Sequence, residues 1–551
     1  MRENPPPREG RRVSRQKRLN AMSRTLLFFF GLSIFILSHE SGLSLAQSCS
    51  LQFVEHDLPH TTQTRGDRVH FYEGNGAGVA INDLNNDGLL DIVLGNLKGA
   101  NTILWNEGGL QFRAQTFAPT GRTRAVSLVD IDADGWIDIV LTTQIGAPSL
   151  WHNNGDETFT FTHIEGVMYP AYTLDWGDID GDGDLDLVTA SYDTELLLLL
   201  RDSFLFNSNG GVYVYENRGG VFIPTRLADE ARALVVWLSD LNRDGAPDLL
   251  VGNDFAVPDQ SWSLKDGVWQ AVSPFDVTTF STMSFDAGDI DNNGTQDLFA
   301  ADMRPPLDDA ATRRAWRYVL EDLARAPRAA DDRQITENVL NIQSLAGQFS
   351  NAAPQYGVAA TGWTWSAKFG DLDQDGFLDL YAVNGMESIE LFTQLPHNAL
   401  IEPNAAFHND AGHGFTLMPS WGLGSLASGR GMSMADLDND GDLDIIVNTL
   451  NSPSLLFENK LCGGRSLQME LRWPGSGNIN GIGAKLTLYT TTATYYRELR
   501  ASSGYLSGDP SRVHFGFPDE TKLLALEIAW PDHHVTRIEQ FPINPFIIVT
   551  R

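Results

Sequence analysis

The chain of 551 residues carries 71 Asp and Glu against 39 Lys and Arg, a formal net charge of −32. Its first 46 residues hold eight Lys and Arg and three Glu, so 31 basic and 68 acidic residues leave −37 on the remainder. A surface of that sign repels nucleic acid and anionic membranes, which excludes both as partners.

From the N-terminus, a basic stretch over residues 11–24 precedes an apolar run over residues 25–37, with the small residues Ser44 and Ala46 where a signal peptidase would cut. Thirteen apolar residues are too short for an ordinary membrane span of about 20. Residues 1–46 are therefore expected to be a cleaved signal peptide, which leaves no stable membrane span and directs the protein to periplasm, cell surface or medium. Only two cysteines follow, Cys49 and Cys462. They flank everything that repeats, and in an exported protein they suggest a disulfide.

Seven copies of one acidic nonapeptide then recur, with oxygen-bearing side chains at positions 1, 3, 5 and 9 and glycine at position 6. The tight loop requires the glycine, and hard cations such as Ca²⁺ take six to eight oxygens. Each loop is expected to supply four side chains and the backbone carbonyl of position 7. The proposed ligands are Asp83, Asn85, Asp87, Leu89 and Asp91; Asp130, Asp132, Asp134, Trp136 and Asp138; and Asp178, Asp180, Asp182, Asp184 and Asp186. Next come Asp240, Asn242, Asp244, Ala246 and Asp248, then Asp289, Asp291, Asn293, Thr295 and Asp297. The last two sets are Asp371, Asp373, Asp375, Phe377 and Asp379, and Asp436, Asp438, Asp440, Asp442 and Asp444. An EF-hand would need Glu at position 12, where this chain has Leu94, Leu141, Thr189, Val251, Ala300, Ala382 and Val447. Short runs of Val, Ile and Leu follow each loop, so each loop is expected to join two strands. The loops starting at Asp83, Asp240 and Asp289 carry only three Asp each and are expected to bind most weakly.

Successive loops start 47, 48, 62, 49, 82 and 65 residues apart, a period suited to four-stranded blades with insertions. A second echo runs an apolar strand into Asn: ILWNEGG, LWHNNGD, VYENRGG, AFHNDAG and LLFENK. The reading is all-β: a seven-bladed propeller over residues 47–460, then a small β domain over residues 461–551. The 82-residue spacing holds a helical pattern within residues 305–335, taken as a surface insertion. His514, His533 and His534 are set aside as catalytic groups, since adjacent histidines on a strand face opposite sides. Trp105, Trp151, Trp237 and Trp365 are assigned to the core.

The nonapeptide with its following strand resembles the FG-GAP and VCBS repeats of integrin-type β-propellers. Gly481-Ile482-Gly483-Ala484, Ser503-Gly504-Tyr505-Leu506-Ser507, His514-Phe515-Gly516 and Trp530-Pro531 resemble the ASPIC/UnbV domain. Together they are similar to the cartilage acidic protein family, also common in bacteria. The resemblance implies a secreted, non-enzymatic protein that binds up to about seven Ca²⁺ and serves in adhesion, recognition or as a scaffold, with an extracellular protein or glycan as partner. The competing expectations are a polysaccharide-acting lyase or hydrolase, or a glycan-binding protein, using a central channel.

Overall fold

The computed structural model describes residues 50–64, 66, 68–118, 121–200, 209–255, 257–326, 328, 332–542 and 545–551. The expected signal peptide and Cys49 lie outside them. Cys462 is disulfide-bonded.

Among the described residues, seven antiparallel meanders of four strands recur. The first uses Val79–Asn82, Asp91–Leu94, Asn101–Asn106 and Phe112–Phe117. Burial falls from inside to outside: the first three strands are wholly buried, and the fourth alternates with solvent. That gradient explains why the runs after the acidic loops are continuous in Val, Ile and Leu, since both faces of the second strand pack against neighbouring blades. The innermost strands of the later blades are Thr123–Val129, Thr173–Gly177, Ala233–Ser239, Ser284–Gly288, Gly362–Gly370 and Gly429–Ala435. Each touches the next, and the last touches the first, so the array closes into a ring. The seventh blade takes its outermost strand, Val54–Thr61, from the other end of the chain; it pairs antiparallel with Pro453–Glu458. This is a β-propeller.

Two helices interrupt the pattern. Helix α1, Asp193–Leu200, has no counterpart in the sequence reading. Its Glu195 forms a buried ion pair with Arg124 at 2.6 Å. Helix α2, Ala310–Arg325, falls within the expected insertion, is capped by Asp309, and buries Trp316 and Val319.

After the ring, the chain forms two further sheets. One has Arg465–Arg472 between Arg512–Phe517 and Phe546–Thr550; the other has the order Thr494–Glu498, Lys485–Thr490, Leu523–Ala529 and Val535–Ile538. Met469, Leu486, Phe515 and Trp530 lie in the core they share. His533 and His534 occupy a turn rather than the strand expected of them.

Between the two sheets the chain sends out a finger, residues 502–508, that enters the propeller axis. Gly508 pairs with Ala80 of the first blade, and the Leu506 carbonyl accepts from Val126 N–H of the second at 3.1 Å. Ser502 Oγ donates to Asp175 of the third at 2.5 Å, and Gly504 N–H donates to the Phe285 carbonyl of the fifth at 2.9 Å. Ser366 Oγ of the sixth accepts from Tyr505 N–H at 3.2 Å, and Ser507 Oγ accepts from Met432 N–H of the seventh at 3.2 Å. Six blades thus grip one finger.

Candidate metal centres

All seven acidic loops join the innermost strand of a blade to its second strand, so they share one rim. Their glycines at position 6 all have φ between 85° and 104°, and position 4 is also left-handed, including the non-glycine residues Ala133, Arg243 and Gln374. Two left-handed residues in three curl the loop around its own carboxylates. At position 1, Asp83, Asp130, Asp240, Asp289 and Asp436 each accept from the backbone N–H groups of positions 5 and 6. The position 7 N–H donates to the position 5 side chain in every loop.

Position 9 is the anchor. Asp91, Asp138, Asp186, Asp248, Asp297, Asp379 and Asp444 are all buried at the start of the second strand. In six loops one carboxylate oxygen accepts from the position 2 N–H, at 2.8–3.3 Å. The other oxygen accepts from the backbone N–H of Asn106, Asn153, Asn217, Gln343, Asn409 or Asn459 at the end of the third strand, at 2.7–2.9 Å. The side-chain amides of five of these residues then cross to the preceding blade. Asn106 donates to the Leu437 carbonyl, Asn153 to Leu84, Gln343 to Leu241, Asn409 to Ile290 and Asn459 to Leu372, at 2.6–2.8 Å. The Asn echo in the sequence was the signal for these clamps, although the sequence reading gave them no role.

Carboxylate oxygens of positions 1, 3 and 9 lie within 4.8 Å of one another in the sets Asp130/Asp132/Asp138, Asp178/Asp180/Asp186 and Asp289/Asp291/Asp297. Burial, reinforced by neighbouring carboxylates, pushes these groups up: Asp91 and Asp297 to about 8, Asp138, Asp186 and Asp379 to about 7, and Asp130, Asp178, Asp289 and Asp436 to about 6. Asp371 Oδ1 and Asp373 Oδ1, at positions 1 and 3 of the sixth loop, are buried without a hydrogen-bond partner, an arrangement that a coordinated cation resolves. The residues present therefore fit a divalent ion bound through oxygen.

The fourth loop departs from this pattern. Lys485 Nζ lies 2.5 Å from Asp240 Oδ2, and Asn242 turns its Nδ2 toward Asp248 Oδ1 at 3.0 Å. An ammonium already stands where positive charge is wanted. Two further residues also reach the loops without having been anticipated: His152 over the second and His408 over the sixth. Each immediately precedes a clamp Asn.

Of the tryptophans assigned to the core, Trp105, Trp237 and Trp365 are at most 2 % exposed, while Trp151 is half-buried between Phe117 and Phe161. None lines an open channel, because the finger occupies the axis. His514 is half-buried and hydrogen-bonded to the Gly441 carbonyl at 3.0 Å, and desolvation lowers its pKa to about 4. Between the rim and the C-terminal sheets stand three ion pairs, Lys368 with Asp509 at 2.8 Å, Arg500 with Asp286 at 2.9 Å and Arg512 with Glu470 at 2.8 Å, while Arg497 donates to the Tyr496 carbonyl at 2.8 Å and Glu498 accepts from Ser239 and Gln296 at 2.7 Å.

The repeats match the FG-GAP-like repeat over residues 83–141, 130–189, 240–300 and 391–447, so the chain is an FG-GAP-repeat β-propeller protein. Residues 474–551 match the ASPIC and UnbV family. The chain thus carries FG-GAP-like repeats followed by an ASPIC/UnbV-like segment, and the axial finger lies within the residues matched to the latter. No curated protein matches the chain. Similar solved structures include an Agrocybe aegerita lectin that recognises non-reducing terminal N-acetylglucosamine, 14% identical, covering 68% of this chain and 85% of the lectin with a TM-score of 0.37. Another is the BP39L lectin from Burkholderia pseudomallei, 12% identical, covering 69% and 94% with a TM-score of 0.45. A third is YCF48 bound to D1 peptide, 7% identical, covering 76% and 99% with a TM-score of 0.41.

Proposed function

We propose that the protein is a secreted, non-enzymatic, calcium-loaded propeller that serves as an extracellular recognition or scaffold protein, with a protein or glycan as partner. The observation that carries this reading is the set of partnerless, buried carboxylate oxygens on one rim, held by loops whose backbone is already curled for an ion. Ca²⁺ suits an all-oxygen donor set and is abundant outside the cell. When bound, it would supply the charge that the position 1, 3, 5 and 9 side chains require. The finger that fills the axis favours binding over catalysis in a central channel. No helix among the described residues is long and apolar enough to cross a membrane.

At free Ca²⁺ a hundredfold above Kd, each independent site adds about 2.7 kcal/mol. Several sites together would match the entire stability of a typical domain, roughly 5–15 kcal/mol. The test is thermal unfolding with excess Ca²⁺ and with a chelator, with metal counted by elemental analysis. Six or seven Ca²⁺ per chain and a large fall on chelation are expected. An unchanged transition with no bound metal would overturn the proposal.

A further inference from the structure

The donor sets around the ring are not alike. The residue immediately before the clamp is Trp105 in the first blade, His152 in the second, Glu216 in the third, Ile342 in the fifth, His408 in the sixth and Glu458 in the seventh. In the two His blades the imidazole faces positions 3 and 9 of its own loop. His408 Nδ1 lies 3.3 Å from Asp373 Oδ2 and 3.3 Å from Asp379 Oδ1. His152 Nδ1 lies 3.2 Å from Asp138 Oδ1 and 3.6 Å from Asp132 Oδ2.

The sixth centre is the more enclosed. Asp371 is 1% exposed, and a Cβ on Gly516 of the C-terminal region would sit 2.2 Å from its Oδ2. A Cβ on Gly463 would meet the Asp373 carbonyl at 1.5 Å, so the chain leaving the propeller runs directly over the loop. The indole of Trp421 packs edge-on against the His408 ring, with centroids 6.0 Å apart. Within this shell, Asp371 Oδ1, Asp373 Oδ1 and His408 Nδ1 are all buried without an aligned hydrogen bond. The imidazole nitrogen lies at ion-pair distance from both carboxylates, and ligand atoms of Asp373, Asp379 and His408 all fall within 4.8 Å of one another, as they do when they surround a common point.

We propose that the sixth loop with His408 is a mixed nitrogen and oxygen centre selective for a divalent first-row transition ion over Ca²⁺. The inference rests on the reading of the loops as metal centres. Ca²⁺ is a hard ion that takes oxygen ligands, and an imidazole in its shell replaces a favoured donor with a poorer one. Imidazole raises affinity for first-row ions, and carboxylates retain the harder members of that series. His152 forms a more open version of the same arrangement.

The metal-stripped protein, refilled with excess Ca²⁺, is titrated with Co²⁺ and followed by d–d absorption, with both metals counted after gel filtration. The wild type is expected to retain about one Co²⁺ that excess Ca²⁺ does not displace. His408→Gln should weaken Co²⁺ retention at least about tenfold, taking the lower end of the range for perturbed metal sites, while keeping its Ca²⁺ count. His152→Gln should keep the tight Co²⁺. Loading the wild type with Mn²⁺ gives a readout that does not depend on the folding of a variant: imidazole ¹⁴N coupling in pulsed electron paramagnetic resonance is expected, and its absence overturns the inference. Full displacement of Co²⁺ by Ca²⁺, or equal retention in His408→Gln, also overturns it and leaves the calcium reading standing. Binding of neither ion by the wild type overturns both.

Discussion

Replacing Asn409 by Ala removes three hydrogen bonds at a residue with no solvent exposure. Its Nδ2 donates to the Ile290 carbonyl of the fifth blade at 2.8 Å and to the Leu378 carbonyl of its own loop at 2.9 Å, while Oδ1 accepts from Gly412 N–H at 2.8 Å. Each buried group left unsatisfied costs about 1–3 kcal/mol, and because the three share one cavity the total falls below their sum, at about 3–5 kcal/mol. An unfolding entropy near 2.1 cal/mol/K per residue gives roughly 1 kcal/mol/K for some 500 folded residues, so the transition should fall by about 3–5 °C. Calorimetry with chelator present isolates this effect from metal linkage. Asn409→Asp, which keeps the shape but places carboxylate oxygen against two carbonyls, should fall further. The Ca²⁺ count should not change, since the Asn409 side chain holds the loop without facing its cavity. A fall of less than about 1 °C in Asn409→Ala, equal to that of the exposed Asn154→Ala, would refute the idea that these amides bind blade to blade.

Asp436→Ala should lower Ca²⁺ stoichiometry by about one, and Glu520→Ala, at an exposed carboxylate outside the loops, should not, as elemental analysis would read. Lys485→Met should tighten the fourth centre by removing the ammonium 2.5 Å from Asp240, and an unchanged calorimetric titration would contradict that. Gly78→Ala places a Cβ 1.7 Å from the Leu506 carbonyl, which should cost about 3 kcal/mol or more and expose residues 502–508 to limited proteolysis. Burial lowers the pKa of His60 to about 4 from an ordinary 6.5. The unfolded chain therefore binds the extra proton between those values, and stability should fall as pH drops from 6.5 toward 4, at up to about 1.4 kcal/mol per pH unit. His60→Gln should flatten that part of the acid profile by about 3 kcal/mol; parallel curves would show that His60 carries no linkage.

The acidic loops were legible because their geometry admits few residue types: glycine where φ exceeds 85°, Asp where a carboxylate must take two N–H bonds at the head of a strand. The second strands were equally plain, since packing on both faces leaves no polar alternation. The clamps were visible only as letters, because an Asn before a turn normally serves that turn, and nothing local indicates that its amide crosses to another blade. His152 and His408 were hidden for a similar reason. Each stands in the strand after the one its loop leads into, and only the meander brings it back. Helix α1 was missed because the LLLLL run has no helical periodicity. The finger stood out only as a family-like motif, and its place in the axis could not be seen: its serines and glycines look like a turn, and their partners belong to six different blades.

The strand that closes the ring comes from one end of the chain and its partners from the other; His56 and Glu458 meet although they stand 402 positions apart. The finger that fills the axis is encoded later still. Blades made early therefore have neither their closing edge nor their hub until almost the whole polypeptide is available. Contacts so distant in sequence make the closing step slow, and chains halted before residue 508 would be left as open arcs with bare strand edges, ready to pair with one another. Protection from such pairing would be needed while the chain is unfinished, and would cease to matter once the ring had closed around its hub.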